Sequence, residues 1–457
     1  MVFSSATFLF YFFPAFLAAY YLLPWKNMVL LVASLLFYAW GEPRFVPLLL
    51  VSAALNYSVG RAIDAAAGRR YAWLCAGVAV NLALLAWYKY AGFLTESLNV
   101  LGAHLPVPHV VLPLGISFFT FQGISYLVDV YRGKVNAQQS FARFAMYKAM
   151  FPQLIAGPIV RYSDIAADID HRSIDSARVL AGLYQFIIGL AQKVLVANTV
   201  ALAADRVFAV PTGQLGAPAA WIGIVCYTLQ ILYDFMGYSN MAIGIGQMIG
   251  FQYPPNFNRP YSARSLTEFW RRWHISLSSW FRDYVYVPLG GNRVSAGRTY
   301  FNLVLVFFLC GLWHGAAWTF VIWGLWHGLF LIVERIGLQR RLDALPAVLA
   351  QAYTLLVVLL GWVWFRADSV PHALAYLRAM AGLQTVDPLA HPWQLDVGYS
   401  TLLAVVVGLA LAVPRRAAAA PARKRPGWRA TSATVLLLLS LASLASGTYN
   451  PFIYFRF

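Results

Sequence analysis

Apolar runs of about 16 to 20 residues recur along this chain between short polar loops, and a helix crossing the hydrocarbon core of a bilayer needs about 20. Charged residues make up 11% of the 457 positions and hydrophobic ones 60%, whereas a soluble domain carries roughly 25% charged residues. That is too little charge to surface a water-soluble globule, so the length does not divide into soluble domains. The pattern predicts an all-α polytopic membrane protein forming a single integral-membrane domain over 1–457. Within it, N-terminal helices occupy 1–140, a core occupies 141–382, and C-terminal helices with a tail occupy 383–457.

The runs predict about twelve crossings, near 6–23, 27–40, 45–60, 71–90, 112–131, 180–198, 219–250, 300–316, 317–333, 347–365, 397–413 and 431–446. Several are short, which calls for tilt or local thinning of the bilayer. The first run lacks a basic region ahead of it and contains Pro14, and reads as a retained helix rather than a cleaved leader. The net charge of +17 lies in loops, not in a patch, which argues against nucleic acid and for the positive-inside pattern. Arg61, Arg69 and Arg70, then Arg132, Lys134, Arg143 and Lys148, then seven arginines from 259 to 298, then Arg335, Arg340 and Arg341, and finally the basic stretch 415–429 mark the cytoplasmic face. Both termini come out on the opposite side.

Two segments depart from plain spans. Residues 144–162 are apolar but hold Lys148, Pro152, Gly157 and Pro158, which predicts a re-entrant or broken element packed in protein, where irregular backbone is tolerated. Over 266–287, Trp270, Trp273, Leu277, Trp280 and Tyr284 form one helical stripe, and Arg271, His274, Ser278 and Arg282 another. An amphipathic helix at the cytoplasmic interface is expected there. The 219–250 run reads either as one helix or as a helix broken at Gly237.

His314 lies deep in an apolar run between Trp313 and Gly315. Ionisable side chains at membrane depth are expensive and mark function by default. An imidazole of ordinary pKa, near 6.5, is mostly free base at neutral pH and can take a proton from an attacking hydroxyl. Arg271, Arg272 and Arg282 offer guanidinium forks suited to phosphate as well as plain interfacial anchoring. Cys310 precedes His314 by four residues, on the same helical face; packing is the expected role, a covalent acyl-thioester the alternative. Cys75, Cys226 and Cys310 show neither disulfide nor metal-ligand spacing, so no metal is expected.

The run Phe269-Trp270-Arg271-Arg272-Trp273-His274, continuing to Pro288-Leu289-Gly290-Gly291-Asn292-Arg293, followed by Gly311-Leu312-Trp313-His314-Gly315, resembles the membrane-bound O-acyltransferase family. The Pro-Leu-Gly-Gly-Asn-Arg ending resembles its bacterial alginate O-acetyltransferase branch. The resemblance implies a funnelled core and transfer of an acyl group to a hydroxyl, with His314 essential and His274 supporting. It further implies acetyl-CoA as donor substrate with no bound cofactor, a location in the bacterial inner membrane, and either a secreted polysaccharide or a periplasmic SGNH-type acetyltransferase as acceptor. Members often carry aspartate after Gly-Tyr-Ser; here that position is Asn240, so no proton-handling role is assigned to it. The last residues, 452–457, resemble a Phe-x-Tyr-x-x-Phe element of bacterial members, which makes Tyr454 a candidate acyl relay beside the plainer role of interfacial anchor. A secondary transporter, or a non-catalytic scaffold for a periplasmic enzyme, are the alternatives.

The charge pattern makes the topology testable. Impermeant cysteine labelling is expected to reach positions beyond 447 from outside the cell and to miss the 415–429 stretch; the reverse result would invert every assignment of sides.

Overall fold

The computed structural model describes residues 1–66, 68–155, 157–384, 391–412, 426–447 and 449–451. Among these every regular element is helical. The chain packs as two compact units, Met1–Phe186 with Ser239–Pro254, and Ile187–Tyr238 with Pro255–Phe457. In order the helices are α1 (Phe13–Leu22), α2 (Lys26–Gly41), α3 (Val46–Ala65), α4 (Arg70–Leu85), α5 (Ala91–Val100), α6 (Ile116–Tyr131), α7 (Phe141–Ala149), α8 (Phe151–Leu154), α9 (Tyr162–Asp170), α10 (Ser176–Ala191), α11 (Asn198–Ala209) and α12 (Ala217–Met248). There follow α13 (Leu266–Arg272), α14 (Ile275–Phe281), α15 (Ala296–His314), α16 (Trp318–Val333), α17 (Gln339–Ala344), α18 (Ala347–Arg366), α19 (Val370–Met380), α20 (Tyr399–Ala412) and α21 (Pro426–Ala445).

Each predicted apolar run falls on a helix. Among the described residues eight helices are long and apolar enough to cross a bilayer, and Phe8–Leu22, Lys26–Gly41 and Tyr399–Ala412 are shorter apolar helices. The run near 112–131 becomes α6, buried along almost its whole length, which is why it reads as apolar on every side. The 219–250 run is one unbroken helix of 32 residues rather than two. Gly237 does not break it, because the missing side chain serves packing: a Cβ there would stand 2.7 Å from the carbonyl oxygen of Gly189.

Segment 144–162 is irregular as expected. After α7 the backbone leaves helical geometry at Met150 and makes the single turn α8, and the described residues from there to Val160 are buried. Lys148 is fully buried and donates from Nζ to the carbonyl of Phe119 at 2.5 Å and to Ser52 Oγ at 3.3 Å, so its polar head is satisfied inside protein.

The expectation of one amphipathic helix over 266–287 is corrected. Trp273 is extended, with φ −100° and ψ 130°, and His274 takes a left-handed conformation at φ 43°, so α13 and α14 are separate helices followed by a π-helical turn, Arg282–Tyr286. A helical stripe cannot pass a left-handed residue, and His274 therefore leaves the polar face and is wholly buried.

Helices α15 and α16 form a tight antiparallel hairpin. A Cβ on Gly311 would lie 2.4 Å from the Phe320 carbonyl oxygen, and one on Gly324 would lie 2.2 Å from that of Phe307. Small residues let two backbones approach in this way where no hydrophobic effect drives association. Gly311→Ala must push α16 aside. Overpacking of this kind typically costs about 1–3 kcal/mol, and the detergent-solubilised variant is expected to unfold at a lower temperature than the parent. An unchanged melting curve would show that the hairpin yields without strain.

Candidate active site

His274, His314 and His327 gather within the second unit, and the element before His274 is held by side-chain capping. The start of α13 is fixed by Glu334, whose carboxylate accepts from the Leu266 N–H at 2.6 Å, the Thr267 N–H at 3.0 Å and the Thr267 hydroxyl at 2.9 Å. Ser265 Oγ caps the same turn by accepting from Glu268 N–H at 3.1 Å. With α13 fixed, the chain turns at Trp273 and His274 and re-enters helix at Ile275.

Asn256 holds that turn. Its carbonyl accepts from Ile275 N–H at 3.0 Å, and its side-chain Oδ1 accepts from Ser276 N–H at 3.3 Å and Ser276 Oγ at 2.9 Å. His274 Nδ1 is 3.1 Å from the same Oδ1. A backbone N–H can only donate, so the amide atom it meets is the oxygen, and Nδ1 of His274 must carry the proton. The imidazole is then the tautomer with an unprotonated Nε2, which finds no hydrogen-bond partner among the described residues. Burial pushes its pKa down to about 3, so His274 is neutral at any physiological pH.

His314 is the last residue of α15, where the chain leaves the helix at Gly315. Its ring packs edge-on against Trp313, Trp323 and Phe365, with centroids 4.8, 5.0 and 5.1 Å away. The His274 ring lies 6.4 Å from it, steadied by Phe235 at 4.5 Å and Trp313 at 5.8 Å. The two histidines separated by forty residues of sequence are thus neighbours, one a fixed neutral acceptor and the other a nearly buried imidazole, 7% exposed.

His327 belongs to the same aromatic cluster, and the sequence reading passed over it. It is fully buried on α16 with Trp270 at 5.1 Å, Trp323 at 5.2 Å and Phe269 stacked at 6.4 Å, and neither ring nitrogen has a hydrogen-bond partner among the described residues. Trp323 lies between it and His314. The signal was present: Gly324-Leu325-Trp326-His327-Gly328 repeats Gly311-Leu312-Trp313-His314-Gly315 residue for residue.

A cavity of about 440 Å³ opens beside this centre, with Arg271, Ser278 and Arg282 among its polar lining and Trp270, Phe307 and Cys310 among the rest. Arg271 and Arg282 are exposed, and Arg282 also pairs with Asp283 at 2.6 Å. Arg272 does not join them: it pairs with Glu268 at 2.5 Å and donates to Ser262 Oγ at 3.0 Å. Cys310 is buried at the cavity wall, and His314 follows it by four residues, about 6 Å further along the helix. Trp313 packs inside whereas Trp318 is exposed. Tyr454 and most of the basic 415–429 stretch lie outside the described residues.

Chemically, a neutral acceptor locked beside a second imidazole can orient a hydroxyl while that imidazole removes its proton. Asn256→Asp places a carboxylate against Nδ1–H and favours imidazolium at position 274, raising its pKa. Protonation then removes the Nε2 acceptor as pH falls. The pH–rate profile of this variant is expected to gain an acid limb in the range of about 5 to 7 that the parent lacks at this site; superimposable profiles would rule out an acceptor role for His274.

Residues 135–363 match the model of the MBOAT, membrane-bound O-acyltransferase, family. The chain is 41% identical to the probable alginate O-acetylase of Azotobacter vinelandii and 40% identical to that of Pseudomonas aeruginosa, in both cases across the full length of both chains. It is 36% identical to the peptidoglycan O-acetyltransferase of Helicobacter pylori over 85% of this chain and 81% of that one. Enzymes of this kind leave no place for the transporter or the non-catalytic scaffold, and the chain, a multi-pass membrane O-acyltransferase, belongs to the membrane-bound O-acyltransferase family.

Proposed function

We propose that this protein is an O-acetyltransferase of the bacterial inner membrane that takes acetyl from cytoplasmic acetyl-CoA and passes it to the periplasmic side, for O-acetylation of a secreted polysaccharide of the alginate type. The observation that carries the reading is the His274–His314 pair, 6.4 Å apart, with a cavity whose lining includes Arg271, Arg282 and Cys310, the last of which stands four residues before His314 on α15. The names of the full-length relatives supply the acetyl group and the polymer.

In this mechanism the phosphates of the donor pair with Arg271 and Arg282 at the exposed end, and its thioester arm lies along Trp270, Phe307 and Cys310. His314 takes the proton of the acceptor hydroxyl as the oxygen attacks the thioester carbon. The C–S bond breaks, and the leaving thiolate recovers that proton from the imidazolium, so coenzyme A leaves as the thiol. His274 orients the hydroxyl through Nε2. Tyr454 is the first acceptor: its phenolic ester stays activated, and a serine of a periplasmic SGNH-type partner, or the polymer hydroxyl itself, displaces the phenol in a second transfer. Cys310 packs the cavity wall and forms no acyl bond.

His314→Ala is expected to lower polymer acetylation by about a hundred- to ten-thousand-fold, the usual worth of a positioned base, with normal accumulation in membranes. Near-parental transfer would make His314 structural. Tyr454→Phe is expected to stop polymer acetylation while preserving the aromatic anchor, and mass spectrometry of the parent without its downstream acceptor is expected to find acetyl on Tyr454. A normally acetylated polymer in the Tyr454→Phe strain would leave direct transfer at His314 as the mechanism.

A further inference from the structure

A second polar network in the same unit holds the segment that leads to Tyr454. Lys193 and Asp234 form an ion pair at 2.8 Å, with side chains 3% and 1% exposed, inside two of the long apolar helical stretches. A charge pair at membrane depth marks function by default. Lys193 lies on the π-helical turn Gln192–Ala197 between α10 and α11, a kind of irregularity frequent at functional sites.

The pair has further partners. Lys193 Nζ also donates to Asn198 Oδ1 at 2.8 Å and to the carbonyl oxygen of Pro451. Asn198 Nδ2 donates to Asn450 Oδ1 at 3.1 Å, and the hydroxyl of Tyr449 donates to Asp205 Oδ2 at 2.9 Å. Asp205 is itself paired with Arg366 at 2.8 Å. Successive residues 449, 450 and 451 therefore meet positions 205, 198 and 193. The segment runs back along α11 from its Ala209 end toward the π turn, over about 18 Å of helix.

The Lys193 end of this network is linked to the histidines through α12. Asp234 is followed directly on α12 by Phe235, whose ring packs edge-on against His274 at 4.5 Å. The carboxylate that holds the anchor Lys193 and the ring that steadies His274 thus belong to adjacent residues of α12. From Pro451 to Tyr454 is three residues, a reach of at most about 11 Å.

We infer that Lys193, Asp234 and Asn198, with the Asp205–Arg366 pair, form a cleat that seats residues 449–451 and so fixes the point from which the chain continues to Tyr454. Lys193 is a positioning residue for acyl transfer: its cation is shared between a carboxylate that keeps it at depth and a backbone carbonyl of the segment it holds. The inference rests on the reading of Tyr454 as acceptor.

The test uses the full-length protein in membranes with Phe452→Cys as a reporter, labelled by an impermeant maleimide. Acetyl on Tyr454 is read by mass spectrometry in the unmodified background. Lys193→Met is expected to raise the labelling rate several-fold and to lower Tyr454 acetylation at least tenfold, and Lys193→Arg, which keeps a donor and a charge, is expected to restore most of both. Since removing one partner of a buried ion pair can unfold the protein, the double variant Tyr449→Phe/Asn450→Ala supplies an independent arm. It removes two contacts from the segment side, leaves the Lys193–Asp234 pair whole, and is expected to shift both readouts in the same direction. Unchanged labelling and acetylation in the double variant would overturn the cleat, as would a Lys193→Arg variant no better than Lys193→Met. Faster labelling in the variants of a parent whose Tyr454 is never acetylated would confirm the seating while sinking the acceptor reading, so the two failures are distinguishable.

Discussion

Inside a hydrocarbon slab no water is on hand to complete a broken hydrogen bond, and each unmet backbone group costs several kcal/mol. Much of this structure follows from that obligation. Regular helix meets it for most of the chain, so wherever the helix is interrupted a side chain has to meet it instead. Asn256 does so at the His274 break, and Lys193 donates to the backbone carbonyl of residue 451. At the His274 break the interruption and the polar side chain that permits it together hold polar atoms at fixed positions in a dry interior.

The histidine centre shows how such a site stays ordered. His274 adopts a left-handed backbone at φ 43° that a non-glycine residue takes only when its surroundings insist. Asn256 insists by taking three groups on one oxygen, and aromatic rings close the remaining sides. The result is a single tautomer with one nitrogen lone pair presented at a fixed point. Polar groups this costly to bury, His327 included, are spent where a bulk-water site could not keep them oriented.

Glycine does complementary work in the hairpin of α15 and α16. Gly311 and Gly324 let the two backbones close on each other, and that closeness carries Trp323 to the face of His314. The twin Gly-Leu-Trp-His-Gly motifs therefore place glycine where the two backbones meet and a histidine in the aromatic cluster on each helix.

Apolar runs by themselves determined the long helices, since a backbone in lipid has almost no alternative, and among the described residues each predicted crossing falls on a helix. Composition also singled out His314, because an imidazole in an apolar run stands out in one dimension. The same rule could have found Lys193 and Asp234, charges inside the predicted 180–198 and 219–250 runs, had they been read as partners. Tertiary structure alone decided the rest. A stripe of residues at 3.6 spacing cannot reveal that His274 leaves the helix, because the cause is Asn256, eighteen positions earlier and joined to it only through space. Nor can spacing separate Arg271 and Arg282, which face the cavity, from Arg272, which is taken by Glu268. Local pattern fixes what a segment becomes in lipid; which polar groups meet depends on how segments distant in sequence are packed, and that is settled by contacts no window along the chain contains.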